Sequence, residues 1–174
     1  MYTDILILSR LASGPAHGYE IKKHVERIVG VKTINNNVLY PALRRFQSDG
    51  VIERVSSDAV TGRPPRTVYR LTDVGRDLLL ALLHDADPDT LASDAEFQIR
   101  VAFFDRLDPP DRLAIIAVRR AHVVSQIALH ESLRGEAVDH SWAPKVIDFN
   151  VAQLRAELDW LDHLAAQASG TGDG

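Results

Sequence analysis

The chain has no cysteine among its 174 residues. That excludes disulfides, thiol nucleophiles and thiolate zinc sites, and it permits a reducing compartment. Long apolar runs are lacking too. The stretch Ile5-Leu6-Ile7-Leu8 breaks at Ser9-Arg10, with no basic leader before it and no small-residue cleavage pattern, so neither a signal peptide nor a membrane span is expected. Ser, His and Asp are scattered, with no nucleophile elbow, no phosphate-cradling glycine loop and no HExxH. Among the seven histidines, His122 and His130 stand eight apart on one helical stretch, too far to chelate together. No catalytic residue, metal or cofactor is expected, and a cytoplasmic protein that is not an enzyme is the default.

With 45% apolar and 25% charged residues, the chain has room for one medium globular domain or two small ones. Its net charge of -4 conceals a division. Residues 1 to 84 carry 12 Lys and Arg against 8 Asp and Glu, whereas residues 85 to 174 carry 8 against 16. A polyanion attracts the first half and repels the second. All four tyrosines, Tyr2, Tyr19, Tyr40 and Tyr69, also lie in the first half.

Along that half, an apolar helix from Thr3 to Ala12 is expected to stop at Ser13-Gly14-Pro15. Ile21, Val25 and Ile28 then recur at helical spacing, predicting an amphipathic helix from about His17 to Val29 with Gly30 as its cap. Any of Asn35, Asn36 and Asn37 could cap a third helix that turns Leu39, Leu43 and Phe46 inward and Asn36, Tyr40, Arg44 and Arg45 outward. Helix, turn and exposed polar helix is the helix-turn-helix pattern. Two β-prone runs follow, Val51 to Val55 and Thr67 to Leu71, and the loop between them holds Gly62, Arg63, Pro64, Pro65 and Arg66. They predict a wing, with a fourth helix beginning at Thr72 or Asp73. Pro41 conflicts with a cap at Asn36, since an interior proline costs a helix about 3 kcal/mol. Propensity alone starts that helix near Tyr40.

His17-Gly18-Tyr19-Glu20-Ile21, Leu39-Tyr40-Pro41-Ala42-Leu43-Arg44-Arg45, Gly62-Arg63-Pro64-Pro65-Arg66 and Tyr69-Arg70-Leu71-Thr72 with Gly75-Arg76 occur in this order. Together they resemble the signature segments of the PadR family of bacterial transcription regulators, over roughly residues 3 to 84. The resemblance implies a recognition helix that runs through Pro41. It also implies a homodimer on a double-stranded DNA operator, usually repressing, and in some members released by a small ligand. The chain departs from the family's pattern in its three asparagines before the recognition helix and in Thr67 and Val68. The DNA-contacting set expected is Tyr19, Lys22, Asn36, Asn37, Tyr40, Arg44, Arg45, Arg63, Arg66 and Tyr69.

The second half resembles, less specifically, the helical C-terminal domain of the longer members. After the acidic joint Asp85-Ala86-Asp87-Pro88-Asp89, helices are expected over Asp94 to Leu107, from Pro110 to about Leu133 with Gly135 closing it, and over Trp142 to Gln167. In the last, Ile147, Val151, Leu154, Leu158, Leu161, Ala165 and Ala168 alternate spacings of four and three, a heptad seam. Its partner is either the same seam of a second copy or the preceding helix. Phe97, Phe104, Trp142, Phe149 and Trp160 are core residues or the walls of a pocket for a small aromatic effector. The expected fold is therefore mainly α: a winged helix-turn-helix domain over 1–84, an all-α dimerisation domain over 85–168 and a disordered tail over 169–174. An alternative is a protein-interaction module that keeps the winged helix as a scaffold and reads no operator. The gathering of Lys22, Lys23, Arg44, Arg45, Arg63 and Arg66 on one expected face separates the two.

Overall fold

Ile5, Leu6, Ile7 and Leu8 have no exposed surface, and they lie consecutively on the first helix, α1 (Tyr2–Ala12). A helix apolar on every side has to be enclosed on every side. In this computed structural model, which describes residues 2–29, 36–55, 67–136 and 142–169, α1 packs against α2 (Gly18–Val29) and the strand β3 (Val68–Leu71). Two further strands, β1 (Ala16–His17) and β2 (Ile52–Val55), flank β3 in an antiparallel sheet of order β1-β3-β2. The register sets Arg54 and Ala16 opposite Tyr69, and Glu53 opposite Arg70, whose side chains pair at 2.7 Å. The β2–β3 pair is the base of the wing. Its tip, with Arg63 and Arg66, lies outside the described residues, as do Gly30 and Asn35.

Helix α3 (Asn36–Ser48) does run through Pro41. Propensity misplaced its start, and packing explains the difference. Leu39, Leu43 and Phe46 are almost fully enclosed, and each such side chain contributes about 1.5–3 kcal/mol on burial, together more than the cost of one interior proline. The helix ends at Ser48, and the chain turns away at Gly50, which has the positive φ of 71° that this stop requires. There Val51 N–H donates to Phe46 O and Gly50 N–H to Gln47 O, closing the last turn. In α4 (Asp73–His84), the Thr72 hydroxyl accepts from Gly75 N–H and lies 2.9 Å from Val51 O. Gly75 tolerates no side chain, because a Cβ would stand 2.3 Å from Val51 O. Helices α3 and α4 are thereby both tied to Val51, the residue before β2.

The chain divides into two compact units after Leu83. The second consists of α5 (Pro88–Leu91), α6 (Asp94–Val101), a 3₁₀ turn (Phe104–Arg106), α7 (Pro109–Glu136) and α8 (Ala143–Ala168). Asp87 caps α5, its carboxylate accepting from Thr90 N–H at 2.8 Å. Helices α7 and α8 form an antiparallel hairpin, stitched by Arg134–Asp148, Glu131–Arg155 and Arg120–Asp162. At the other end Arg119, nearly enclosed, donates to Glu157, Asp94 and the carbonyls of Leu91 and Ala92, and covers the Phe97 ring at 5.6 Å. Burial opposes its charge, but the two carboxylates more than offset this and raise its pKa.

The heptad seam of α8 is covered within the chain. Val151, Leu161 and Ala168 are buried and Ile147, Leu154, Leu158 and Ala165 half-buried, on a helix whose packing partner is α7. Of the two partners expected for this seam, the preceding helix is the one present within the chain: a 26-residue helix lies beside a 28-residue one and meets its apolar face locally. A different stripe is left exposed on α8, with Trp142 at its start, then Val146, Phe149, Ala156 and Trp160, again at spacings of four and three once Gln153 is included.

Candidate nucleic-acid interface

The inward residues of α3 hold its other face in solvent. Asn37, Val38, Tyr40, Pro41, Arg44 and Arg45 are exposed there, and Asn36 begins the helix. Leu39, Ala42, Leu43 and Phe46 occupy the i, i+3, i+4, i+7 positions beneath them, so the orientation of the exposed face is set by the core.

The two arginines differ in circumstance. Arg45 donates to the Asp4 carboxylate at 2.8 Å, and its guanidinium lies 4.9 Å from the Phe46 ring centre, which anchors it to α1. Arg44 is exposed one position earlier on the helix. The adjacency of the two in sequence concealed this, because the Asp4 contact spans 41 residues.

Beside α3 lies a cleft of about 680 Å³ lined by His17, Gly18, Tyr19, Glu20, Tyr40, Thr67 and Tyr69. Glu20 closes the start of α2, its carboxylate accepting from His17 N–H at 2.8 Å. The His17 Nδ1 stands 3.4 Å from Thr67 O, joining β1 to the strand side of the cleft. Gly18 lets the Tyr40 ring approach, since a Cβ there would be 3.3 Å from its Cε1. Tyr19 is exposed, with the Lys23 ammonium 5.8 Å from its ring, and Lys22 is half-buried. Tyr69 is buried, on the face of β3 opposite the exposed Arg70, and lines the cleft. His17, Gly18 and Thr67 were not among the expected site residues; Gly18 and His17 stood in a recognised segment, but their closeness to Tyr40 and Thr67 is tertiary.

Chemically, the surface offers amide, phenol and guanidinium donors on one helix face and tyrosine hydroxyls beside it. These are groups that read base edges and bond phosphate oxygens. The side chain of Asn36, and Arg63 and Arg66, lie outside what is described.

The aromatic set of the second unit does not converge on one pocket. Phe97 and Trp160 meet edge to face with ring centres 5.8 Å apart, and Phe97 and Phe104 are buried. Trp142 is largely exposed beside Lys145, and Phe149 is exposed as well. Eighteen residues of helix separate the two tryptophans, about 27 Å along the axis, so they cannot line one small-molecule site within a chain.

Among the described residues no helix is long and apolar enough to cross a membrane. No curated protein matches the chain significantly. The family model described as the transcriptional regulator PadR-like family matches residues 7–81. A crystal structure of a PadR family transcription regulator from Clostridium difficile R20291 is 33% identical over 47% of this chain and 82% of its own, with a TM-score of 0.41. A transcriptional regulator from Clostridium thermocellum is 31% identical over 46% of this chain and 77% of its own, with a TM-score of 0.42. Bacillus subtilis PadR in complex with operator DNA is 18% identical over 94% of this chain and 96% of its own, with a TM-score of 0.44. The matched residues run from the core of α1 through the cleft and the β2–β3 pair into α4, and on them the chain belongs to the PadR-like family of transcriptional regulators.

Proposed function

We propose that this regulator binds a double-stranded DNA operator as a homodimer, in the cytoplasm, and represses the genes it controls. The observation that carries DNA reading is the exposed face of α3, where Asn37, Tyr40 and Arg44 stand over an enclosed apolar base. Side chains at the start of such a helix reach base edges in the major groove, and asparagine suits a bidentate contact with adenine. Arg44, a turn or more further on, meets the backbone. Arg63 and Arg66 on the wing are assigned to phosphate or the adjacent minor groove.

For dimerisation, the support is the exposed stripe of Trp142, Val146, Phe149 and Trp160 rather than the covered seam. A two-fold partner offers an identical stripe, and two copies read two half-sites. For a small aromatic effector the support narrows to the Phe97–Trp160 pair, where a half-exposed indole meets a buried ring.

A gel-shift titration with the DNA immediately upstream of the protein's own gene tests the main reading. Retarded bands that disappear with Asn37→Ala combined with Tyr40→Ala support it. Equal binding of this DNA and an unrelated duplex at moderate salt would overturn operator reading. Tryptophan fluorescence tests the effector: aromatic acids that quench emission must also change the gel shift at the same concentrations.

A further inference from the structure

A second cleft, of about 310 Å³, opens on the first unit where Arg10 of α1 meets Tyr19, Glu20, Lys23, His24 and Arg27 of α2. Three of these residues are cations and one is an acid, so with His24 neutral the lining carries a formal +2. The acid is already engaged: Glu20 accepts from His17 N–H and lies 4.0 Å from Arg10. Arg10 is itself positioned, its Nη1 donating to Gly14 O at 3.1 Å. Among the described residues Arg27 forms no ion pair.

His24 is the unusual member. Its Nε2 is enclosed and has no hydrogen-bond partner, which costs a protein about 1–3 kcal/mol unless something satisfies the group. Burial, then the charges of Arg10 and Arg27, hold the imidazole below its usual pKa. Like charges gathered around a neutral, unsatisfied histidine are a poor arrangement for an empty cleft and a good one for an anion. The two guanidinium forks and the ammonium match a group with several oxygens and more than one negative charge.

We propose that the cleft formed by Arg10, Lys23, His24 and Arg27 is a seat for a phosphate group, either a flanking phosphodiester of bound DNA or the phosphate of a small ligand. Tyr19 and Glu20 line both this cleft and the one beside α3, so the seat adjoins the proposed DNA face. A seated phosphate reverses the local field, and His24 then takes a proton from solvent and stays charged to higher pH. The DNA source rests on the operator reading given above, whereas the seat itself does not.

The test is an NMR titration of the His24 ring in the full-length chain with inorganic phosphate at constant ionic strength, with acetate as control. A saturable rise in the His24 pKa with phosphate but not acetate is expected. Lys23→Gln with Arg27→Gln, which leaves the Arg10–Gly14 bond intact, should weaken that response roughly tenfold or more. Absence of a saturable response, or an equal response to acetate, would overturn the proposal. Operator binding by the same variant then identifies the source. A log–log salt slope lower by about one unit assigns the seat to DNA backbone, and an unchanged slope assigns it to a small phosphate ligand. If the wild type binds no operator at all, the DNA reading fails while the phosphate titration still decides the seat.

Discussion

Gly18 and Tyr40 meet in the cleft beside α3, where a Cβ at Gly18 would come within 3.3 Å of the Tyr40 Cε1. The contact is tight rather than prohibitive, and the half-exposed phenol can swing away. Gly18→Ala is therefore expected to leave the fold intact, with up to about 1 kcal/mol gained from alanine in a helix. Operator affinity should fall because the Tyr40 ring is displaced. Thermal melting and gel shift measured together check this; loss of both stability and binding would mean that the close approach serves the core.

Arg44 and Arg45 should separate experimentally. Arg44→Ala should leave stability within about 0.5 kcal/mol and lower the salt slope of DNA binding by roughly one unit. Arg45→Ala removes the Asp4 contact and the cover over Phe46, and a pair this exposed is worth at most about 1 kcal/mol. Asp4→Asn should reproduce only the ion-pair part of that loss, since the Arg45 cover over Phe46 stays, and should not lower the salt slope.

Arg119 holds α5, α6 and α8 to α7. Arg119→Met leaves the largely enclosed Glu157 carboxylate and two carbonyls without their donor, while the exposed Asp94 carboxylate turns to water, and a loss of about 1–3 kcal/mol is expected in urea unfolding. Replacing Glu157 and Asp94 by leucine and asparagine in the same chain should recover part of it. A loss below 1 kcal/mol in the single variant would show that solvent reaches the site.

His24 makes stability depend on pH in a determined direction. Its folded pKa lies below the ordinary 6.5, so between the two values the unfolded chain binds more protons than the folded one. Stability from this group is complete above about pH 6.5 and is lost as pH falls toward the folded value. Urea midpoints at pH 5.5 and 7.5 should differ in wild type, and His24→Gln should remove that part of the difference.

On α8, Val146→Asp with Phe149→Asp should yield monomers with unchanged helical circular dichroism. Leu161→Asp, at a position with no exposed surface, should unfold the hairpin instead. Sedimentation at micromolar concentration distinguishes them, and a wild type that is itself monomeric would sink the dimer.

Local signals carried much of the architecture. The i, i+4, i+7 pattern of Leu39, Leu43 and Phe46, the helix start at Thr72 or Asp73 and the β-prone runs on either side of the wing are all signals over a few residues, and each is legible in order along the chain. The short strand β1 and helix α5 were not, since two and four residues hold too little periodicity to register. Pro41 was misread from propensity for a related reason: its cost is local, while the burial that outweighs it comes from residues distant in sequence.

The amino-acid sequence by itself determined the winged-helix pattern, the division of charge and the family, because these reside in residue identity and spacing. Only the tertiary structure decided which of two equivalent choices each side chain takes. Arg45 is anchored and Arg44 is exposed, Tyr69 is buried and Tyr19 is not, and the α8 seam is spent on α7 while the opposite stripe stays exposed. The physical reason is the same in each case: a side chain's free energy depends on what lies across from it, and those neighbours, Asp4 for Arg45 and α7 for the seam, are brought there by the fold.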